Sequence, residues 1–306
     1  MESHAKERPF GARRGVPLVN ERRRYELCPI CDSDRIEDRY KVQGYTISRC
    51  AFCDVFFVRE ILTPNELSAV YAAAEDDFVY DSEENLGNLR YYYGILRGII
   101  EARKPDRGRI LDVGCAGGRF LEMMTGWERH GTEIMARQAA SARKMLGDTI
   151  HNGPFEDYPP RENFFDVITL QDVFDHLIDP RANLERCFRL LKPGGLIVIK
   201  VHDIRCLFAR FSGARFYAIA PPGHLFYFSR KPLSLMLQRA GFTKLEHRHI
   251  GHLLFMKTIF YRFAKGKSQS FSHRIYRLLE GSRLGNLRIH KNLHDIITVF
   301  AEKPRG

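Results

Sequence analysis

Two Cys-x-x-Cys pairs, Cys28-Pro29-Ile30-Cys31 and Cys50-Ala51-Phe52-Cys53, stand 18 residues apart near the start of the chain. Each pair can close a tight knuckle, and two knuckles present four thiolates in the tetrahedron that zinc prefers. The spacing predicts a zinc ribbon over residues 25–60 with Cys28, Cys31, Cys50 and Cys53 as ligands, against free or bridged thiols as the alternative. Four protein thiolates leave no open coordination position, so the metal would be structural. So short a segment buries little apolar surface, and the metal is expected to hold it together. The other cysteines, Cys115, Cys187 and Cys206, are scattered and read as small buried hydrophobes, with Cys115 offering its backbone.

No apolar run approaches the ~18 residues of a membrane span, and the first residues lack the apolar core of a secretory signal. A cytoplasmic, reducing compartment is therefore expected, with cysteines as thiols or ligands. The formal net charge of +11 is concentrated at the ends. Residues 1–24 carry seven basic and three acidic side chains, and residues 257–291 carry nine basic and one acidic. Such ends attract nucleic acid, anionic lipid or a phosphorylated substrate, or are simply solvated.

Residues 1–24 read as a disordered basic tail and 61–88 as an acidic linker opened by a helix start at Thr63. From 89 to 306 short apolar strands alternate with helical segments. The strands are Arg109–Cys115, His130–Ile134, Thr149–Gly153, Phe164–Gln171, Leu196–His202, Thr243–Ile250 and Asp295–Pro304. Helices fall at about 89–104, 117–127, 135–145, 181–191 and 231–240. The alternation predicts an α/β fold with a Rossmann-like, mainly parallel sheet covered on both faces. A basic, aromatic insert occupies about 252–290.

The first of these strands runs into Asp112-Val113-Gly114-Cys115-Ala116-Gly117-Gly118. Glycines there let backbone approach a ligand before the chain turns into a helix. Glu133 ends the next strand 21 residues after Asp112, where a carboxylate can accept both hydroxyls of a ribose; the alternative is an ordinary surface glutamate. Together these features point to a nucleoside-containing cofactor.

The stretches RILDVGCAGGRFLEMM, HGTEIMARQAASARK, FFDVITLQDVFDHLIDP, LERCFRLLKPGGLIVIKVHD and DIITVFAEKP resemble the class I S-adenosylmethionine-dependent methyltransferases over about 89–304. The resemblance implies a seven-stranded sheet whose last strand inserts antiparallel between the fifth and sixth. It implies that Asp112, Gly114, Cys115, Ala116 and Gly117 border the methionine part of S-adenosylmethionine. Glu133 would hold the ribose and Ile134 the adenine, with Phe155 and Glu156 at the adenine edge, and Leu170 and Gln171 would flank the sulfonium. Adding the cysteine pairs, the order is similar to zinc-containing methyltransferases associated with sugars and surface polysaccharides.

An oxygen nucleophile must lose a proton, which suits a histidine. His224, in PPGHLFYFS, is the candidate base; the alternative is a residue that braces the loop. The sugar C-methyltransferases carry Tyr and Glu where this chain has Pro221 and Gly223, so methylation at oxygen is expected rather than at carbon. His176 and Asp175, with Asp172, resemble the Glu-x-x-Glu-His of ubiquinone-pathway O-methyltransferases, where such residues can hold Mg²⁺; capping or substrate contact is the alternative. Aromatics from Phe208 to Phe228 wall a substrate pocket or fill core.

The expected activity is methyl transfer to a hydroxyl of a small or carrier-linked acceptor such as a sugar or polysaccharide precursor. Alternatives are RNA methylation with the ribbon as grip, sugar C-methylation, and a binding module without turnover. The basic C-terminal segment could touch a membrane surface peripherally.

Overall fold

The computed structural model describes residues 23–63, 66, 69, 70, 83–256, 275, 277–279, 282 and 284–305. The tail to residue 22, the acidic stretch 71–82 and most of the basic insert, 257–274, lie outside the described residues. Among the described residues no helix is long and apolar enough to cross a membrane.

The cysteine segment is built on β2 (Ile36–Val42), β3 (Tyr45–Cys50) and β4 (Phe56–Val58), paired antiparallel. Two short strands, β1 (Arg23–Arg24) and β5 (Glu60–Ile61), pair beside it, so the last residues read as tail are in fact a strand. At the start of the segment read as a linker, Thr63 and Glu66 form a reciprocal capping box. The Glu66 amide donates to the Thr63 hydroxyl at 3.3 Å, and the Thr63 amide to the Glu66 carboxylate at 2.9 Å. α1 (Glu83–Arg103) begins six residues before the helix predicted at 89.

The large sheet contains β6 (Arg109–Val113), β7 (Glu128–Glu133), β8 (Ile150–Asn152), β9 (Phe165–Gln171), β10 (Leu191–His202), β12 (Thr243–Arg248) and β15 (Ile296–Glu302). Their order is β12-β15-β10-β9-β6-β7-β8. β15 runs antiparallel to both neighbours, and the other pairings are parallel. The seven-stranded mixed sheet is therefore as the motifs imply. β9 and β10 read as near-continuous apolar runs because both their faces are buried, as central parallel strands require. α2 (Arg119–Met123), α3 (Ala136–Leu146), α4 (Pro180–Leu190), α5 (Leu207–Ser212) and α6 (Arg230–Arg239) join the strands. α2 is shorter than the 117–127 predicted, because Gly118 is left-handed and Met124 leaves helical geometry. α4 starts on Asp179, whose carboxylate accepts from the Ala182 amide, with Pro180 at the first helical position.

Two features were not legible beforehand. Inside the insert, β13 (His252–Phe255) and β14 (Arg288–Lys291) pair antiparallel, and β13 packs on α1 through the stacked rings of Tyr92 and His252, 5.7 Å apart. More consequential is β11 (Phe226–Tyr227), which leaves the large domain to become the fourth strand of the cysteine sheet, pairing Phe226 with Phe57 and Tyr227 with Phe56.

The cysteine segment is thus not a separate body. Phe57 and Phe226 are both buried in a cluster that runs from Cys28 through Phe174 and Phe228 to Val299. Truncating a buried phenylalanine costs about 3–5 kcal/mol. Ion pairs also cross the boundary: Arg205 meets Asp54, which Arg49 also holds from within the segment, and Arg181 meets Asp32 at 2.8 Å. Breaking a fully buried pair costs about 3–5 kcal/mol, but Arg205 and Asp32 are both substantially exposed, so these pairs contribute less than the apolar contact. Packing shares with the cysteines the task of holding this segment.

Candidate active site

The β6–α2 turn is shaped by three left-handed residues, Gly114 (φ 69°), Ala116 (φ 46°) and Gly118 (φ 79°). A Cβ on Gly114 would lie 2.3 Å from a Val173 methyl, so only glycine fits. The turn is tied to β7 by Glu133: one carboxylate oxygen accepts the Ala116 amide and the other the Met135 amide, each at 2.8 Å. Cys115 donates its amide to Thr132 and tucks its thiol against Gly131, where a Cβ would come within 2.7 Å of the sulfur. Burial raises that thiol well above its ordinary value. The Cys115 side chain faces the core.

Around this turn lies a cavity of about 300 Å³. Of the predicted cofactor residues, Gly114, Ala116, Glu133, Ile134, Phe155, Glu156 and Gln171 border it. Asp112, Cys115, Gly117 and Leu170 do not. Leu170 is wholly buried in the core, because alternate residues of β9 face opposite sides of the sheet. Asp112 lies beneath the cavity, accepting from Thr169 at 2.5 Å and Gln171 at 3.4 Å; burial pushes its carboxyl up to about 7 against those hydrogen bonds. Thr132, Met135, Gly153 and Pro154 also border the cavity but carry no motif signal.

S-adenosylmethionine fits these residues. The cavity pairs a close-approach glycine and the Glu133 carboxylate with apolar walls from Ile134 and Phe155, and the buried Gln171 Oε1 has no partner among the described residues.

Of the predicted catalytic residues, His176 is on the rim, while Asp175 and His224 do not border the cavity themselves. His176 borders the cavity and donates its Nδ1 hydrogen to the Gly223 carbonyl at 2.7 Å. His224 donates from Nδ1 to Asp175 at 2.8 Å, and the two imidazoles lie 4.4 Å apart. Both rings therefore carry Nε2 as their acceptor nitrogen when neutral. Burial alone would lower the His224 pKa, but the Asp175 carboxylate outweighs it and holds it above the ordinary imidazole value. Burial alone would raise Asp175, but the charges of His176 and His224 and the hydrogen bond from His224 hold it well below the usual carboxylate range.

Of Asp172, Asp175 and His176, only the last two lie together with His224. Asp172 turns away on a left-handed residue (φ 56°) to pair with Lys200 at 2.5 Å. Asp175 and His176 are joined instead by His224. One carboxylate and two imidazoles do not fit the oxygen shell that Mg²⁺ demands.

The four predicted metal ligands do converge. Cys28, Cys31, Cys50 and Cys53 place their sulfurs within 4.8 Å of one another, with pairs at 3.5 and 3.6 Å. Four sulfurs about 2.3 Å from one zinc would stand about 3.8 Å apart. The Ile30 and Cys53 amides point at the Cys28 and Cys50 sulfurs, as in metal-binding knuckles, and all four cysteines are free. The residues fit zinc.

The aromatic cluster divides. Phe216, Phe226, Tyr227 and Phe228 are core, while Phe208, Phe211 and Tyr217 are exposed.

The sheet order, the turn beneath the cavity and the Glu133 clamp define a class I S-adenosylmethionine-dependent methyltransferase domain. Residues 88–247, more than half of the chain, match the family model described as a methyltransferase domain, and the chain belongs to that family. Among curated relatives it is similar to the ubiquinone biosynthesis O-methyltransferase of Cereibacter sphaeroides, 38% identical over 107 residues covering 32% of this chain and 43% of that one. The counterpart from Rhodopseudomonas palustris is 33% identical over 98 residues, 30% of this chain and 38% of that one. The chain thus spans less than half the length of these relatives. A solved complex of a methyltransferase with the Haloferax volcanii Trm112 methyltransferase activator shares the fold, with TM-score 0.50, 18% identity, and coverage of 78% of this chain and 98% of that one.

Proposed function

We propose that this protein transfers a methyl group from S-adenosylmethionine to a hydroxyl oxygen of a small or carrier-linked acceptor. The observation that carries the reading is the His224–Asp175 pair at 2.8 Å, set against His176 on the rim of the cofactor cavity. When bound, the cofactor supplies a methyl already activated on a sulfonium. What remains for the protein is alignment and removal of one proton.

Asp175, buried and ionised, fixes the His224 tautomer and stabilises the imidazolium formed when Nε2 takes the acceptor's hydroxyl proton. With the cofactor bound, the methyl would pass from its sulfonium to that oxygen, which would become a methyl ether, while His224 holds the proton and Asp175 its charge. His176, anchored to Gly223, orients the loop that carries His224. The similarity to ubiquinone biosynthesis O-methyltransferases supports transfer to oxygen. Zinc on the four cysteines would be structural, and the peptide Leu225–Phe226 links it to the rim, since both amides donate to the Asp175 carbonyl.

The test is incubation of cell extract with methyl-labelled S-adenosylmethionine, with mass spectrometry of the products. A labelled methyl ether is expected; label only on nitrogen or carbon, or on RNA, would overturn the reading.

A further inference from the structure

A second cavity, of about 210 Å³, opens beside the first, and Asp172 borders both. It lies over the ends of β9 and β10, closed by α1, β13 and β14. His202, at its inner wall, has its ring 5.8 Å from that of His224 and 5.3 Å from that of Tyr217. His224 borders neither cavity itself: its chain neighbours Gly223 and Leu225 border the cofactor cavity, and His202 beside its ring borders this one.

The walls have two chemical properties. First, charge is cancelled locally. Lys200 is paired with Asp172 at 2.5 Å, and Lys291 with Asp295 at 2.9 Å. Burial lowers the pKa of His202, and lowers His252 to about 4, so both imidazoles are neutral at physiological pH. Among the described residues a phosphate or an ammonium would find no unpaired countercharge here and would meet the desolvation penalty of burial.

Second, hydrogen-bonding capacity is left over. Asn88 Oδ1, Asp172 Oδ1, His202 Nδ1 and His252 Nε2 are buried and have no partner among the described residues. All four residues border this one cavity. Buried polar atoms are paired in the great majority of folded proteins, by protein, water or ligand. Two of these atoms are obligate acceptors and two belong to imidazoles, which donate or accept by tautomer. A set of hydroxyls, each both donor and acceptor, answers such a mixture. Tyr92 and Tyr217 add ring surfaces, and Tyr217 stands half exposed at the mouth.

We propose that this second cavity is the acceptor site and that it takes a neutral, multiply hydroxylated ligand. The inference rests on the O-methyl transfer reading above and adds to it the site and the class of acceptor.

The test uses the full chain saturated with S-adenosylhomocysteine and saturation-transfer NMR on three probes at equal concentration: D-glucose, D-glucose 6-phosphate and catechol. Transfer to glucose is expected to exceed that to the other two. Asn88→Leu and His252→Leu are each expected to reduce it at least tenfold, while calorimetry gives unchanged S-adenosylhomocysteine affinity. Two variants on different elements guard against misfolding of one. Preference for the phosphate or catechol, silence of all three probes, or full transfer in both variants overturns the proposal. A wild-type protein that binds no S-adenosylhomocysteine would instead overturn the methyltransferase reading beneath it.

Discussion

The amide of Val58, in the strand that follows the last cysteine knuckle, donates to the carbonyl of Leu225 at 2.9 Å. Leu225 in turn donates its amide to the carbonyl of Asp175, also at 2.9 Å, and its chain neighbour is His224. Two hydrogen bonds therefore separate the cysteine sheet from the proposed catalytic pair. The β4 strand of the cysteine sheet thereby fixes the backbone on which His224 sits.

Through this relationship a zinc on the four cysteines would matter for turnover as well as for stability. Freshly purified protein is expected to hold about one zinc per chain, measured by atomic spectrometry. Cys50→Ser is expected to lower zinc content, melting temperature and turnover together, with faster amide exchange at Val58. Metal-free protein that keeps its fold and its full rate would refute the structural role.

Glu133 accepts two backbone amides besides the role proposed for it with ribose. Glu133→Ala is therefore expected to weaken S-adenosylmethionine binding by more than tenfold, about 1.4 kcal/mol, and also to loosen the β6–α2 turn. Glu133→Gln, which keeps one oxygen acceptor, should fall between. Calorimetry on both variants tests this; wild-type affinity in both would remove Glu133 from the site.

His224→Ala should lower kcat by about 10²- to 10⁴-fold, the range of general-base catalysis, with cofactor affinity intact. The base acts only when neutral, and Asp175 raises its pKa, so the rate should rise with pH through a midpoint above the ordinary 6.5. Asp175→Asn should move that midpoint down and depress the plateau. The pair also affects folding. His224 is raised, so its contribution is complete below 6.5 and fades as pH climbs through the folded value; Asp175 is lowered, so its contribution is present above 3.8 and fades as pH falls through the folded value. Stability from the pair should therefore peak between these limits, and denaturant titrations of wild type and Asp175→Asn across pH 3–8 would reveal a flat difference if the pairing is wrong.

Gly114→Ala places a Cβ 2.3 Å from Val173 in a left-handed residue. The conformation alone costs about 1–2 kcal/mol, and the clash adds to it. Cofactor affinity and melting temperature should both drop, and adding Val173→Ala should restore the part due to the clash. No recovery in the double variant would mean that strain alone is responsible.

Local chemistry made much of this chain readable in advance. Apolar runs such as Phe165–Gln171 and Leu196–Val201 mark buried strands because both faces need apolar side chains. Glycine at 114 and the paired cysteines mark a cofactor turn and a metal knuckle because few other residues fulfil those demands. What the residues alone fixed is this series of elements and the chemistry of each turn. Only the folded chain decided that Phe226–Tyr227 would complete the cysteine sheet, that His224 would take Asp175 rather than Asp172 into its company, and that Asn88, His202 and His252 would meet around one cavity. Periodicity and turn preference are properties of neighbours in the chain. Convergence of residues some fifty to a hundred and seventy positions apart depends on strand order and on packing, which no short stretch contains.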